Sequence, residues 1–235
     1  MRAVILAGGQ GTRLKPYTTV LPKPLMPIEG QSILEIIIRQ IKSRGVDHIT
    51  LAVNHMAEII RAFAGDGSKW GLKIDYSMED MPLGTVGPIR LIKDLPENFL
   101  VMNGDVLSDI DFEDLYQAHI KSGALLTIAT FHRVVNIDFG VLVTNHEGRV
   151  TEFREKPNYE FDVSMGIYVF NKAILDIIPE KRIFGLDHLV LTMLDKKIPV
   201  NTYKYHGYWL DIGRPDDYDK ANLEYESIKN KLFKE

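Results

Sequence analysis

The run Val4-Ile5-Leu6-Ala7-Gly8-Gly9-Gln10-Gly11-Thr12-Arg13-Leu14, continued by Lys15-Pro16-Tyr17-Thr18-Thr19-Val20-Leu21-Pro22-Lys23-Pro24-Leu25-Met26-Pro27, organises the whole chain. Its short apolar start predicts a buried strand, and a Gly-Gly-x-Gly turn follows at once. Glycines let backbone N–H groups approach a ligand closely, and such a turn forms a concave nest for anions. Arg13 and Lys23 set two fixed cations beside that nest, which suits a polyphosphate. Neither common phosphate fingerprint applies. The P-loop requires Gly-x-x-x-x-Gly-Lys-Ser/Thr, but Leu14 follows Arg13 with no Lys-Ser/Thr pair. The dinucleotide motif Gly-x-Gly-x-x-Gly lacks its third glycine.

Outward from this loop, strand and helix alternate. Ser32–Ser43 reads as a helix, with Ile33, Leu34, Ile37, Ile38 and Ile41 at helical spacing and a Ser32/Glu35 capping box. Ile49–Val53 is a strand and Ala57–Phe63 a helix with Ile59, Ile60 and Phe63 on one side. Leu72–Tyr76 is a strand, Gly87–Lys93 helical, and Phe99–Met102 a strand stopping at Asn103-Gly104-Asp105. Phe112–Ser122 is a helix and Leu125–Phe131 a strand. The expected class is α/β, a Rossmann-like three-layer arrangement around a mixed, mainly parallel sheet. Ligands in such sheets gather at the carboxyl ends of the strands, where the glycine loop and Asn103-Gly104-Asp105 both fall.

After about Asn136 the pattern changes. Phe139–Thr144 and Arg149–Arg154 are short strands with a hairpin-like connection. Gly166–Phe170 and Val200–His206 are strands, Ala173–Ile178 is a helical turn or two, and Asp187–Asp195 is a helix. Pro215 starts a last helix running to about Leu232. One mixed domain is expected over residues 1–235, with residues 1–135 as a nucleotide-binding half and 136–235 as a second half walling off the acceptor side. No internal repeat or linker interrupts it.

The 235 residues are 45% hydrophobic and 26% charged, ordinary for a globular protein, with a formal charge of −4. That balance gives no footprint for a nucleic acid polymer, although a nucleotide needs only local cations. There is no cysteine. This removes disulfides, thiol catalysis and Cys-bound zinc, and fits a reducing cytoplasm. No signal peptide and no membrane span are expected. The seven histidines show no paired metal spacing; His55, at a strand end after Asn54, is placed to line the site.

Two carboxylates stand out. Asp105 leaves a strand behind a tight glycine, and Asp211 lies in Trp209-Leu210-Asp211-Ile212-Gly213. With phosphate oxygens they make a hard oxygen cage that suits Mg²⁺. Asp109 and Asp111 read as loop and helix-start residues. Pro82-Leu83-Gly84-Thr85-Val86-Gly87 allows a flat ligand close to the backbone, and Glu79, just before it, can accept from the N1–H and 2-amino groups of guanine.

The run from Leu6 to Leu25 resembles the signature of the sugar-1-phosphate nucleotidyltransferases, or NDP-sugar pyrophosphorylases, and looks closest to the mannose- and heptose-1-phosphate guanylyltransferases. The resemblance implies the nucleotide-diphospho-sugar transferase fold. It implies that Leu6, Ala7, Gly8, Gly9, Gly11 and Thr12 wrap the nucleotide with Gly84, Thr85 and Asn103, and that Arg13 and Lys23 neutralise phosphates. Asp105 and Asp211 would hold the metal. Lys156 of Glu155-Lys156-Pro157 would hold the sugar phosphate, Glu155 would face the sugar, and Gly140 would let it approach. Ser164 stands where many relatives carry Asn. Arg13, Lys23 and Asp105 are the implied catalytic set. The implied reaction is transfer of a nucleoside monophosphate from a triphosphate, GTP first, to a sugar 1-phosphate. The same chemistry with CTP, UTP or dTTP, or a silent regulatory subunit, remains open, as does a homo-oligomer. A C-terminal left-handed β-helix, common in relatives, is not expected, because hexapeptide repeats are absent.

Overall fold

The computed structural model describes residues 1–233, and the statements below concern those residues. In chain order the elements are β1 (Arg2–Leu6), β2 (Pro27–Ile28), β3 (Gln31–Ser32), α1 (Ile33–Ser43), β4 (His48–Val53), α2 (Ala57–Ala64), β5 (Lys73–Met78), β6 (Asn98–Asn103) and β7 (Val106–Ser108). They continue with α3 (Phe112–Ser122), β8 (Leu126–Asn136), β9 (Val141–Thr144), β10 (Val150–Arg154), β11 (Asn158–Asn171), α4 (Leu186–Asp195), β12 (Asn201–Tyr205), β13 (Trp209–Asp211) and α5 (Pro215–Leu232). Single 3₁₀ turns cover Thr12–Leu14, Tyr17–Thr19 and Lys23–Leu25, so the loop after β1 is folded.

Seven strands form the central sheet in the order β12-β8-β11-β6-β1-β4-β5. β1 lies parallel between β4 and β6, and β11 runs antiparallel to β6 and β8. The expected α/β, mainly parallel mixed sheet is what forms. Val4, Ile5 and the isoleucines of α1 are fully buried, as continuous apolar strands covered on both faces require. Ser32 caps α1 by accepting from the Glu35 N–H at 3.1 Å. Asp111 caps α3, accepting from the Glu113 and Asp114 amides, which fits the helix-start role expected of it.

Three expectations need correction, and one pairing was not expected. Gly87–Lys93 forms only a 3₁₀ segment over Gly87–Leu91, where Pro88 supplies no N–H for a longer ladder. Ile59 of α2 is exposed, while Ile60 is buried. β8 and β11 are much longer than their apolar cores suggested, because they continue outward as a ribbon in which β11 alternates polar and apolar residues while β8 reads His132-Arg133-Val134-Val135-Asn136. The pairing of β13 with β7 had no period-2 signal in so short a stretch. That pairing nonetheless positions half of the site.

Candidate active site

The carboxyl ends of β1, β4, β5 and β6 open into a cavity of about 390 Å³. Leu6, Gly8, Gly9, Gln10, Asn54, Glu79, Pro82, Gly84, Thr85, Asn103 and Asp105 line it. The β1 loop, the β5 loop and the end of β6 therefore converge, as their strand-end positions required. A Cβ at Gly9 would meet nothing within 4 Å, so its face toward the cavity is free for a ligand. Gly84 has φ +80°, and a Cβ there would lie 3.0 Å from the Phe184 carbonyl oxygen. Only glycine fits that turn without strain.

Glu79 reaches this cavity from the end of β5. Its Oε2 accepts from the Leu83 N–H at 2.9 Å. Its Oε1 faces Gly8, where a Cβ would come within 3.0 Å of it. Burial pushes the Glu79 carboxyl above the ordinary glutamate value, and the Leu83 bond opposes the shift.

Asp105 follows β6 across Gly104, whose N–H donates to the Leu6 carbonyl at 2.9 Å. A Cβ on Gly104 would press within 3.0 Å of that same oxygen, so glycine seats Asp105 against the β1 loop. Asp211 is brought alongside by β13: it pairs with Val106 in register, and Ile212 donates to the Asp105 carbonyl at 2.9 Å. Lys23, buried at the foot of its 3₁₀ turn, forms an ion pair with Asp105 Oδ2. Asp105 Oδ1 is buried and has no hydrogen-bond partner. Burial raises the Asp211 carboxyl above its ordinary range, the Asp105 charge adds to this, and Lys23 and Arg13 pull it back.

An orphaned carboxylate oxygen beside a second, electrostatically strained carboxylate fits a hard divalent cation, which relieves both. No group of three or more metal-ligating side chains occurs among the described residues. A cation here would complete its shell with substrate oxygens or water.

Arg13 does not line the first cavity. Its guanidinium lies over Gly213, 3.4 Å from where a Cβ would sit, and faces a second cavity of about 580 Å³ with Phe131, Arg133, Trp209 and Asp211. Asp105 borders the first cavity and Asp211 the second, so the carboxylate pair has one member on each. Gly11 and Ala7 do not line either cavity. Gly11 adopts φ +61° under Thr18, whose hydroxyl donates to its carbonyl at 2.8 Å, so it shapes the loop. Thr12 opens the 3₁₀ turn that carries Arg13.

The four acceptor residues lie apart from both cavities. Gly140 and Glu155 meet each other beyond the sheet, with Glu155 Oε2 3.3 Å from a Gly140 Cβ position. Ser164 donates to the Tyr168 hydroxyl at 3.2 Å, and Lys156 sits at φ +43°. His55 does not line the cavity; its neighbour Asn54 does, with its amide bonded to the Glu79 carbonyl at 3.3 Å. Asn54, Phe131, Arg133 and Trp209 are cavity residues that sequence reasoning missed or left without a role. For Phe131 and Arg133 the i, i+2 spacing on β8 was the available signal.

Comparison with known proteins follows the same lines. The family model "Nucleotidyl transferase" matches residues 2–228. The chain is 35% identical to a D-glycero-alpha-D-manno-heptose 1-phosphate guanylyltransferase of Aneurinibacillus thermoaerophilus, over 96% of this chain and 99% of that protein. It is 34% identical to a mannose-1-phosphate guanylyltransferase of Mycobacterium tuberculosis, over 94% of this chain and 64% of that protein. It is 32% identical to a UTP–glucose-1-phosphate uridylyltransferase of Synechocystis sp., over 94% of this chain. The chain thus spans 62% and 64% of the length of the last two relatives. Among solved structures, HddC from Yersinia pseudotuberculosis complexed with GMP-PN superposes with a TM-score of 0.72 at 28% identity, covering 95% of this chain and 99% of that one. By its sequence match and by the sheet that carries these loops, this chain belongs to the nucleotidyl transferase family.

Proposed function

We propose that this chain transfers a nucleoside monophosphate from GTP to a sugar 1-phosphate of the mannose or heptose type, releasing pyrophosphate. One observation carries the reading: Lys23 and Asp105 form an ion pair at the edge of a glycine-lined cavity, with Asp211 fastened beside them by the β13–β7 pairing. The guanylyltransferase relatives and the likeness to HddC support GTP. Glu79, with Oε1 turned to the cavity rim, supports guanine through its 2-amino and N1–H donors.

A phosphate oxygen of the sugar 1-phosphate attacks the α-phosphorus. The bond from that phosphorus to the bridging oxygen breaks, and pyrophosphate leaves with the electron pair. The nucleophile is already an anion, so no general base is required. The difficulty is bringing two anions together, which calls for positioning and cations. Gly8 and Gly9 admit the nucleotide to backbone distance. In this reading Lys23, held by Asp105, would neutralise the α-phosphate, and Arg13 the departing pyrophosphate. Lys156 serves the acceptor phosphate, with Gly140, Glu155 and Ser164 toward the sugar. Asp105 and Asp211 would hold Mg²⁺, which when bound supplies charge neutralisation to the phosphates. No helix among the described residues is long and apolar enough to cross a membrane; the nucleotide substrates are those of the cytoplasm, where we place the reaction.

The test is a matrix of the four nucleoside triphosphates against a panel of sugar 1-phosphates, scored by pyrophosphate release. The expected maximum is GTP with mannose or heptose 1-phosphate. Release with UTP and glucose 1-phosphate alone would move the chain to the uridylyl branch. No release from any pair would leave the silent-subunit reading.

A further inference from the structure

The two cavities beside the carboxylate pair differ in charge. No Lys, Arg or His lines the first, which is bordered by the glycine loop, Asn54, Glu79 and Asp105. Its volume of about 390 Å³ and its amide and carboxylate acceptors suit a base and ribose. It offers no side-chain cation to neutralise a polyphosphate. Arg13, Arg133, Arg214 and Lys220 all line the second cavity, of about 580 Å³.

The fold does not use these arginines. The guanidinium groups of Arg13, Arg133 and Arg214 make no hydrogen bond or ion pair among the described residues. They reach one cavity from three elements: the 3₁₀ turn after the glycine loop, the outer part of β8 and the N-cap of α5. Of the three acids on the same cavity, two are engaged elsewhere. Asp217 accepts from the Arg214 N–H at 3.0 Å. Glu224 accepts from the Tyr208 hydroxyl at 3.0 Å, with Lys220 3.8 Å from its other oxygen. The third is Asp211, of the carboxylate pair. Guanidinium groups gathered on one concavity repel one another. A ligand with several phosphate oxygens removes that repulsion and accepts their paired hydrogen bonds, whereas sugar hydroxyls would leave the charge uncompensated. The order of parts also fits. With its α-phosphate at the Asp105–Asp211 pair, a triphosphate has its nucleoside on the Asp105 side and its tail on the Asp211 side.

We infer that the second cavity seats the β- and γ-phosphates of the triphosphate, and the pyrophosphate they become, and that Arg133 and Arg214 bind them alongside Arg13. The identity of the ligand rests on the proposed function; the role of this cavity and of Arg133 and Arg214 goes beyond it. When the bond from the α-phosphorus to its bridging oxygen breaks, pyrophosphate takes the electron pair and stays on guanidinium groups that the nucleoside cavity lacks.

Calorimetric titration of the full chain with pyrophosphate, with GMP and with mannose 1-phosphate, each in Mg²⁺, tests this. The wild type should bind pyrophosphate and GMP. Arg133→Ala and Arg214→Ala, both at exposed positions, should each weaken pyrophosphate about tenfold or more, the usual loss for a charge-assisted hydrogen bond. Both should leave GMP affinity unchanged. Lys93→Ala removes an equal charge outside both cavities and should alter neither ligand. No pyrophosphate binding by the wild type, or unchanged affinity in both arginine variants, overturns the inference. So does an equal loss for GMP and pyrophosphate. A loss for mannose 1-phosphate with pyrophosphate spared overturns it too, and gives the cavity to the acceptor. Failure of the proposed function would show as absent pyrophosphate release across the substrate panel and would leave these titrations readable.

Discussion

Lys23 and Asp105, 82 positions apart in the chain, form an ion pair in which the lysine side chain is only 10% exposed. The pair ties the turn after the glycine loop to the end of β6, so the first and fourth strands of the parallel run share one site. Removing one partner strands the other charge in a largely closed setting. Lys23→Met and Asp105→Asn should each lower stability, by about 3 kcal/mol or somewhat less given the partial exposure of Asp105. The double variant should recover part of that loss while staying inactive. Urea unfolding of the three proteins measures the coupling. Additive losses would show the pair to be incidental.

Arg13 has no hydrogen bond or ion pair among the described residues, so the fold does not depend on it. Arg13→Ala should leave the melting temperature within a degree or two and lower turnover roughly 10²–10³-fold, the usual effect of losing one transition-state donor. Near-normal turnover would remove Arg13 from the catalytic set.

Gly9 and Gly84 separate ligand approach from folding. Gly9→Ala meets nothing in the protein, so thermal stability should hold while KM for the triphosphate rises. Gly84→Ala must occupy φ +80° and crowd the Phe184 carbonyl, so it should destabilise by about 1 kcal/mol or more in addition. Equal melting temperatures for both variants would contradict this.

Glu79 carries a pH signature. Its carboxyl is raised by burial, so the folded state holds the proton more tightly than the unfolded chain does. Stability contributed by the protonated form is therefore present below the unfolded value of 4.5 and is lost as pH rises through the folded value. Glu79→Gln removes this loss and can still accept from Leu83. The variant should gain stability relative to wild type as pH rises above the unfolded value, with the two converging below it. The same substitution should reduce discrimination for GTP. An unchanged nucleotide preference would dissociate Glu79 from base recognition.

The parallel core was legible in the sequence because β1, β4 and α1 are apolar at the spacing their elements require, and because glycine loops mark strand ends. Asp105 was legible for the same reason. Asp211 was read as a partner of Asp105 from its carboxylate and the family resemblance supported it, but the strand that seats it has three residues, too few for any periodicity to register. Arg13 was found, but its orientation toward Gly213 and the second cavity depends on a 3₁₀ turn that no local propensity announced. The outer halves of β8 and β11 went unread because β8 there lacks alternation, at His132-Arg133-Val134-Val135-Asn136, and none of the residues from 132 to 164 is buried to leave an apolar pattern. Arg133 offered one signal, its i, i+2 spacing from Phe131 on β8, and that spacing registers only once the strand is known to continue past Phe131.

The central claim is that an oxygen of the sugar 1-phosphate attacks the α-phosphorus of GTP directly. Sugar 1-phosphate carrying heavy oxygen in its phosphate, incubated with GTP, Mg²⁺ and the full chain, tests it by mass spectrometry of the products. The expected result is a guanosine diphosphate sugar retaining every heavy oxygen, with one of them bridging the two phosphorus atoms, and unlabelled pyrophosphate. Free guanosine monophosphate with the labelled sugar phosphate left unchanged would contradict it.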